Sequence, residues 1–290
     1  MNILVTGSGA PGSRGTVYCL KSGSQSCKII GMDADPSKHL ISKALFDEFI
    51  LAPRVNDQHY AEKLLAICSD QKIDLIVPQT TREIEVLSLN KKKFSEHGVS
   101  VAVSEHEAII NSNDKLYVTN KLESLGFGES RIQEVSSKDD LQAACKKFDY
   151  PNSPVVLKAK NLNGKRGYRV LQPSTFNYEE FLLQKPQADG IDLETILATF
   201  PETFETIMVM EYFPGQEFSV DAFIGEKIAI AIPRERTSIR SGISFSNRVI
   251  KDSYLIEASL GYGRSAGLTG VFGMQFKKDT NDQFQVLECN

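Results

Sequence analysis

Metal-binding and disulfide signatures are missing from this 290-residue sequence. Its five cysteines, Cys19, Cys27, Cys68, Cys145 and Cys289, contain no CxxC pair, and its four histidines, His39, His59, His97 and His106, form no HxxxH or HExxH arrangement. That scatter argues against a zinc site and against a disulfide framework. No apolar run reaches the roughly 18 residues of a membrane span, and the chain enters a strand (Asn2 to Thr6) directly, which argues against a signal peptide. A cytoplasmic protein is the expectation. Cations are not in excess: 33 Lys and Arg stand against 37 Asp and Glu, for a net charge of −4, which argues against a nucleic-acid footprint. Lys91-Lys92-Lys93 reads as a solvated helix end. Internal repeats and low-complexity segments are also absent, and the length suits two domains, or one domain plus a lid.

What is present begins with short apolar runs alternating with helical patterns. Candidate strands are Ile3–Val5, Lys28–Met32, Glu48–Leu51, Asp74–Val77 and Val99–Val103; candidate helices lie near Ser13–Lys21, Asp57–Ser69, Arg82–Leu89 and His106–Ile110. This order predicts a parallel sheet wound with helices. The first strand runs into Gly7-Ser8-Gly9-Ala10-Pro11-Gly12, a formal GxGxxG, and the second ends at Asp33, as in a dinucleotide fingerprint. Tyr117 and Lys121 stand in YxxxK spacing with Ser104 upstream, so a nicotinamide oxidoreductase is one reading. Against it, Pro11 stiffens the turn where a pyrophosphate would dock, and Tyr117 and Lys121 fit a helix opened by Asn113 or Asp114. Any doubly wound sheet favours glycine at such turns, and the cleft at its strand ends can hold a substrate instead. Asp74–Leu89 repeats the strand-turn-helix form, so Thr80 and Thr81 belong at the same sheet edge as Gly7, Ser8 and Gly9, either touching substrate or capping a helix.

In the middle of the chain, Ser136 to Asp139 caps a helix running to about Phe148. Further helical stretches read at Tyr178–Gln184 and Asp192–Phe200, and a strand at Ile207–Met210. Between them, Val155 to Val170 reads VVLKAKNLNGKRGYRV, two β-branched runs around Asn163, Gly164 and Gly167, with Lys158, Lys160, Lys165, Arg166 and Arg169 close by. Glycines admit an anion close to backbone N–H groups, and a strand lysine beside them neutralises phosphate; a solvated Asn-Gly hairpin has the same sequence. Glu211-Tyr212-Phe213-Pro214-Gly215-Gln216-Glu217 then joins two strands through a Pro-Gly turn, where exposed backbone beside aromatics suits an adenine ring and Glu217 suits ribose hydroxyls.

At the far end, Val271–Phe276 and Phe284–Cys289 read as an antiparallel hairpin. With Asn281-Asp282 as its two loop residues, Gln275 lies opposite Glu288, and Asn290 shares that face. Three oxygen donors then converge as a fit set for Mg²⁺, or form a merely solvated face. Arg234, Arg236 and Arg240, near a strand Lys227–Ile232, are candidates for steadying a carboxylate or a transferring phosphate, with Arg234 and Arg240 taken as catalytic.

Taken in this order, the motifs resemble the ATP-grasp superfamily, in its branch of carbamoyl-phosphate synthase large-subunit-like and biotin-carboxylase-like proteins. The resemblance rests on the glycine turn, Asp114-Lys115 opening a helix, Lys158 to Gly167, the Glu211 to Glu217 hinge, and Gln275 with Glu288-x-Asn290. It implies a mixed α/β and α+β fold: a Rossmann-like domain over 1–112, a linker helix and lid over 113–211, and an antiparallel-sheet subdomain over 212–290. It also implies roles. Lys115 and Lys158 would hold ATP phosphates, Asn163, Gly164 and Gly167 would close over them, Glu211, Tyr212 and Phe213 would receive adenine, Glu217 the ribose, and Gln275, Glu288 and Asn290 a Mg²⁺ or Mn²⁺ ion. The implied reaction joins a small carboxylate to an amine, or to a thiol, through an acyl phosphate. Relatives usually continue past the last asparagine with a Pro-Arg pair, so a truncated chain, a homodimer or a complementing subunit is also expected. The alternatives left open are a non-catalytic ATP-binding or split-subunit fragment and the NAD(P)-dependent oxidoreductase.

Overall fold

A computed structural model describes residues 1–23, 26–36, 44–129, 131–160, 167–172, 190–240 and 242–290. Its first sheet is built from β1 (Asn2–Thr6), β2 (Lys28–Asp33), β3 (Glu48–Leu51), β4 (Leu75–Pro78) and β5 (Ser100–Val101), all parallel in the order β3-β2-β1-β4-β5. The buried runs Ile3-Leu4-Val5 and Ile29-Ile30 lack the polar alternation of a half-exposed sheet because both faces are covered. One face packs Leu4, Ile30 and Ile76 against Leu64 and Leu87, which belong to α2 (Tyr60–Asp70) and α3 (Thr81–Leu89). The other packs Ile3, Val5 and Ile29 against Val17 of α1 (Ser13–Lys21) and Phe46. A short helix, α4 (Lys91–Glu96), carries Lys91 and Lys93, each paired with a glutamate, so the triple-lysine run opens a surface helix of its own instead of ending the preceding one.

Two helices, α5 (His106–Asn113) and α6 (Lys115–Ser124), leave this domain. Ala108 of α5 and Val118 and Leu122 of α6 are buried with residues of the last sheet, while Asn113 of α5 donates to Glu85 of α3 at 2.9 Å, so the linker packs against both parts. The second sheet comprises β6 (Ile132–Ser137), β7 (Val155–Ala159), β8 (Tyr168–Leu171), β9 (Gly190–Ile191) and β10 (Thr203–Glu211), in the order β6-β10-β7-β8-β9. Alternation along β7 sorts its side chains between the core and the opposite face. Val155 and Leu157 enter the core with Leu141 and Ala144 of α7 (Lys138–Lys147) and Ile196 of α8 (Leu193–Thr199), while Val156 and Lys158 point the other way. The helix expected over 178–184 lies outside the described residues.

The third sheet is antiparallel throughout: β11 (Glu217–Ile224), β12 (Ala229–Arg240), β13 (Ile243–Val249), β14 (Gly270–Lys278) and β15 (Phe284–Cys289), in the order β13-β12-β11-β14-β15. Phe218, Val220, Met274 and Phe276 cover one face of it with α9 (Ser253–Ser265) beneath. The sequence carries no clear signal for this helix, because Gly261 and Gly263 dilute its helical pattern. The second of these glycines is a packing device: a Cβ on Gly263 would stand 2.5 Å from Phe272 Cζ and 2.7 Å from Ile224 Cδ1. Strand β13, made of alternating serines and exposed apolar residues, also carries no clear sequence signal at its edge position.

Candidate active site

The open faces of the second and third sheets enclose a cleft of about 590 Å³. From the lid side come Val156, Lys158, Tyr168 and Met210; from the hinge, Glu211, Tyr212 and Phe213; from the third sheet, Glu217, Arg236, Gln275, Lys277, Leu287, Glu288 and Asn290; and from the linker, Lys115. The expected hairpin is present, with Lys158 paired to Tyr168 and its ammonium 5.9 Å from the Tyr168 ring centroid. Gly167 closes it at φ +66, where an added Cβ would stand 2.5 Å from Ala159 Cβ, so the turn admits only glycine comfortably. Asn163 and Gly164, with the Leu162 to Arg166 tip, lie outside the described residues.

Lys115 is placed by its helix cap. Asp114 sits in extended backbone and its Oδ1 accepts from the N–H groups of Leu116 and Tyr117 at 2.9 and 3.1 Å, which starts α6 at Lys115 and turns that side chain inward to 7% exposure. Its Nζ lies 3.9 Å from Glu288 Oε2. Burial pushes the Lys158 ammonium down to about 8; Glu288 and Glu217 oppose this, while Lys115 and Lys277 reinforce it. An anion entering the cleft therefore meets several cations whose mutual repulsion it relieves.

Gln275 stands directly opposite Glu288, as expected. The route to that pairing differs from expectation: the turn is the five-residue Asp279–Gln283 loop, and Leu287 is an extra residue between the pairs Phe276–Val286 and Gln275–Glu288. Asn290 exchanges both backbone hydrogen bonds with Gly273 at 2.7 Å, and its Nδ2 donates to Glu288 Oε1 at 3.2 Å. One carboxylate and two amide side chains thus share a face. These hard oxygen donors fit a divalent cation that completes its shell with phosphate and water. Among the described residues no group of three His, Cys, Asp or Glu is placed to hold a metal ion, so any such ion depends on these amides.

Two family models match the sequence: one described as ATP-grasp in the biosynthetic pathway with Ter operon over residues 203–290, the other as a PylC-like N-terminal domain over residues 3–102. The chain carries an ATP-grasp fold. Similar solved structures include an ADP complex of N5-carboxyaminoimidazole ribonucleotide synthetase, with TM-score 0.68, 13% identity and coverage of 100% of this chain and 69% of that one. The corresponding synthetase from Staphylococcus aureus with ADP has TM-score 0.66 and 18% identity, covering 99% and 69%. A biotin carboxylase complex with β,γ-ATP from Campylobacter jejuni has TM-score 0.68 and 17% identity, covering 100% and 64%. The search of curated proteins found no match.

Within this ATP-grasp cleft, the arginines are distributed differently from expectation. Arg234 donates from Nη2 to Asp221 at 2.8 Å, and Arg240 lies 5.3 Å from the Phe245 ring centroid near the outer end of β12; neither lines the cleft. Arg236 does. Only 4% exposed, it bonds to Glu217, donates to Gln275 Oε1 at 3.2 Å, and holds the Gly242 carbonyl at 2.6 Å. Glu217, expected at the ribose, is therefore already engaged on one oxygen. Arg234 and Arg236 share one face of β12 by alternation; what distinguishes Arg236 is its bond to Glu217, while Arg234 pairs with Asp221 farther along β11. The same rule finds Lys277, two residues from Gln275, whose Nζ lies 5.3 Å from the Tyr212 ring centroid.

The proposed substrate residues gather elsewhere, at the carboxyl end of the first sheet. Gly7 at φ +60 passes so close to the next turn that a Cβ there would stand 2.6 Å from Glu83 Oε2 and 2.7 Å from Thr80 Cγ2, so the turn of Gly7, Ser8 and Gly9 meets that of Thr80 and Thr81, with Ser8 buried. Thr80 Oγ1 donates to Glu83 Oε2 at 2.7 Å, and the buried Tyr60 hydroxyl to Oε1 at 3.0 Å; burial raises the pKa of that carboxyl. Asp33, where a dinucleotide would place its ribose, instead accepts from Gly9 N–H at 2.8 Å and Asp35 N–H at 2.9 Å. Ser104 Oγ is tied to the backbone of Thr269. These engagements occupy Asp33 and Ser104, two of the residues on which the nicotinamide reading rested.

Proposed function

We propose that the chain is an ATP- and Mg²⁺-dependent ligase that joins a small carboxylate to an amine through an acyl phosphate. The observation that carries this is the meeting of Lys115 and Lys158 with Gln275, Glu288 and Asn290 in one cleft beside the hinge. The base would lie between the apolar lid residues Val156, Tyr168 and Met210 and Leu287 of the facing sheet, reading the backbone at Glu211 to Phe213. Lys115 and Lys158 would hold the phosphates, and Gln275, Glu288 and Asn290 would hold the metal. Bound there, Mg²⁺ or Mn²⁺ would supply charge neutralisation and orientation for the phosphates.

The γ-phosphorus would form a bond to a substrate carboxylate oxygen as its bond to the ADP oxygen breaks. The amine would then form the C–N bond, expel phosphate and lose its proton to water. Cations and amides suffice for such a transfer, since it requires alignment and charge neutralisation more than a general base. Arg236, buried against Glu217 and Gln275, would steady the transferring group in place of Arg234 or Arg240. The rim at Gly7–Gly9 and Thr80–Thr81 would receive an organic substrate. Among the described residues no helix is long and apolar enough to cross a membrane, and together with five free cysteines this supports a cytoplasmic setting.

The test incubates the chain with Mg-ATP and pooled carboxylates and amines, following ADP release and the ligated mass. A new amide mass with stoichiometric ADP is expected. Thermal protection by NADPH with none by Mg-ATP would instead restore the oxidoreductase.

A further inference from the structure

Strands β6 to β10 build the lid sheet, and the chain enters and leaves it at adjacent points: the N–H of Glu211 donates to the carbonyl of Arg131 at 3.3 Å. At this crossing the Arg131 guanidinium donates from Nη1 to Glu211 Oε2 at 2.7 Å, and from Nε and Nη2 to Glu129 Oε2 at 3.2 and 2.9 Å. Its Nη2 also lies 3.9 Å from Oδ2 of Asp279, a residue 4% exposed in the β14–β15 loop. Asp279 is itself held in place, accepting from the N–H groups of Asn281 and Gln283 in the loop and from Gln285 Nε2 of β15. Gln285 in turn accepts from Glu129 N–H through Oε1 at 3.3 Å. One arginine thus spans the strand into the lid, the strand out of it, and the sheet that carries the metal-site residues.

We propose that Arg131 is a positioning residue for the nucleotide base: it fixes the Glu211 end of the hinge against the Asp279 loop, so that the backbone of Glu211–Phe213 is held ready for the ring. The inference rests on the reading of the cleft as a nucleotide site. Arg131 does not line that cleft, and it acts through Glu211, which does. Its fork geometry matters, because it donates to Glu129 and Glu211 at once while its charge lies 3.9 Å from Asp279, and the point charge of a lysine has no such fork. The phosphate-holding groups, Lys115 and Lys158, belong to other elements, α6 and β7.

Two probes separate positioning from general loosening: Mg-ADP, which has a base, and Mg-tripolyphosphate, which has none. Titration calorimetry on Arg131→Ala and Arg131→Lys should show ADP affinity about tenfold weaker, the loss expected from one charged hydrogen bond, with tripolyphosphate affinity within about twofold of the parent. Equal losses for both probes, or unchanged ADP affinity in both variants, would overturn the assignment while leaving the nucleotide reading intact. A parent chain that binds neither probe would defeat the nucleotide reading itself, and this inference with it.

Discussion

Replacing Lys158 with methionine should abolish nucleotide binding and at the same time make the protein more stable. Methionine keeps the length of the side chain along the cleft wall and removes only the charge. The ammonium sits beside Tyr168 and is pushed from its ordinary 10.5 down to about 8, so the folded state holds a proton less readily than the unfolded chain does. At roughly 1.4 kcal/mol per unit this penalty is on the order of 3 kcal/mol, and solvent entering an open cleft reduces the expected gain to roughly 1–3 kcal/mol.

The pH dependence gives the reasoning a sign. Below about 8 both states of the parent carry the proton and the penalty is complete. Between about 8 and 10.5 the unfolded chain binds more protons than the folded one, so the parent gains stability with rising pH and the advantage of Lys158→Met shrinks toward zero. Urea unfolding of both proteins near pH 7 and above about pH 10 reads this difference directly, since every other titrating group is shared. A variant less stable than the parent near neutrality, or an advantage that does not change with pH, refutes the desolvation argument. Loss of Mg-ADP protection in the same variant checks the binding half. In the parent, Mg-ADP affinity should weaken as pH rises above about 8, because the ammonium that meets phosphate is then lost.

The other predictions concern the groups around that lysine and the substrate rim. Gly7→Ala should lower stability by about 1 kcal/mol or more, because φ is +60 and the new Cβ meets Glu83 and Thr80; a thermal melt reads it, and an unchanged Tm refutes the close packing of the two turns. Asp114→Ala should cost about 1 kcal/mol through the lost helix cap and should also weaken Mg-ADP binding, because the cap sets the direction of Lys115. Glu288→Gln should raise the Mg²⁺ concentration needed for ADP binding by about tenfold or more, with little change in stability; equal Mg²⁺ dependence in calorimetry would exclude this carboxylate from the metal set.

The first domain was legible almost element by element, because its five strands are continuous apolar runs bounded by glycine and polar turns, and its central strands are buried on both faces. Legibility fell where residues answer to tertiary contacts. Helix α9 carries glycines, one of which answers to the ring of Phe272, and β13 is an edge strand whose apolar residues Ile243, Phe245 and Val249 are exposed, so no buried face marks it. Among the site residues, Lys115, Lys158 and the hinge were visible as motifs. Arg236 and Lys277 required knowledge of which strand face meets the cleft, and Arg131 required knowledge of where the lid's two connections cross.

The metal-site hairpin shows how a local misreading and a correct pairing coexist. A two-residue loop at Asn281-Asp282 brings Gln275 opposite Glu288. The observed loop is centred one half-step away, because Asp279 accepts from Asn281 and Gln283 N–H groups and holds five residues out of the ladder. Carried on without interruption, that register would set Gln275 opposite Leu287 and Glu288 opposite Met274, whose side chain is fully buried in the core. The extra residue at Leu287 shifts the ladder by one and turns both Leu287 and Glu288 toward the cleft. The bulge takes up Leu287 and nothing else: removing Leu287 alone should let the ladder run on without interruption, with Glu288 following Val286 and still opposite Gln275, so that Mg²⁺-dependent nucleotide binding persists in calorimetry; loss of the metal dependence in that variant would refute this register.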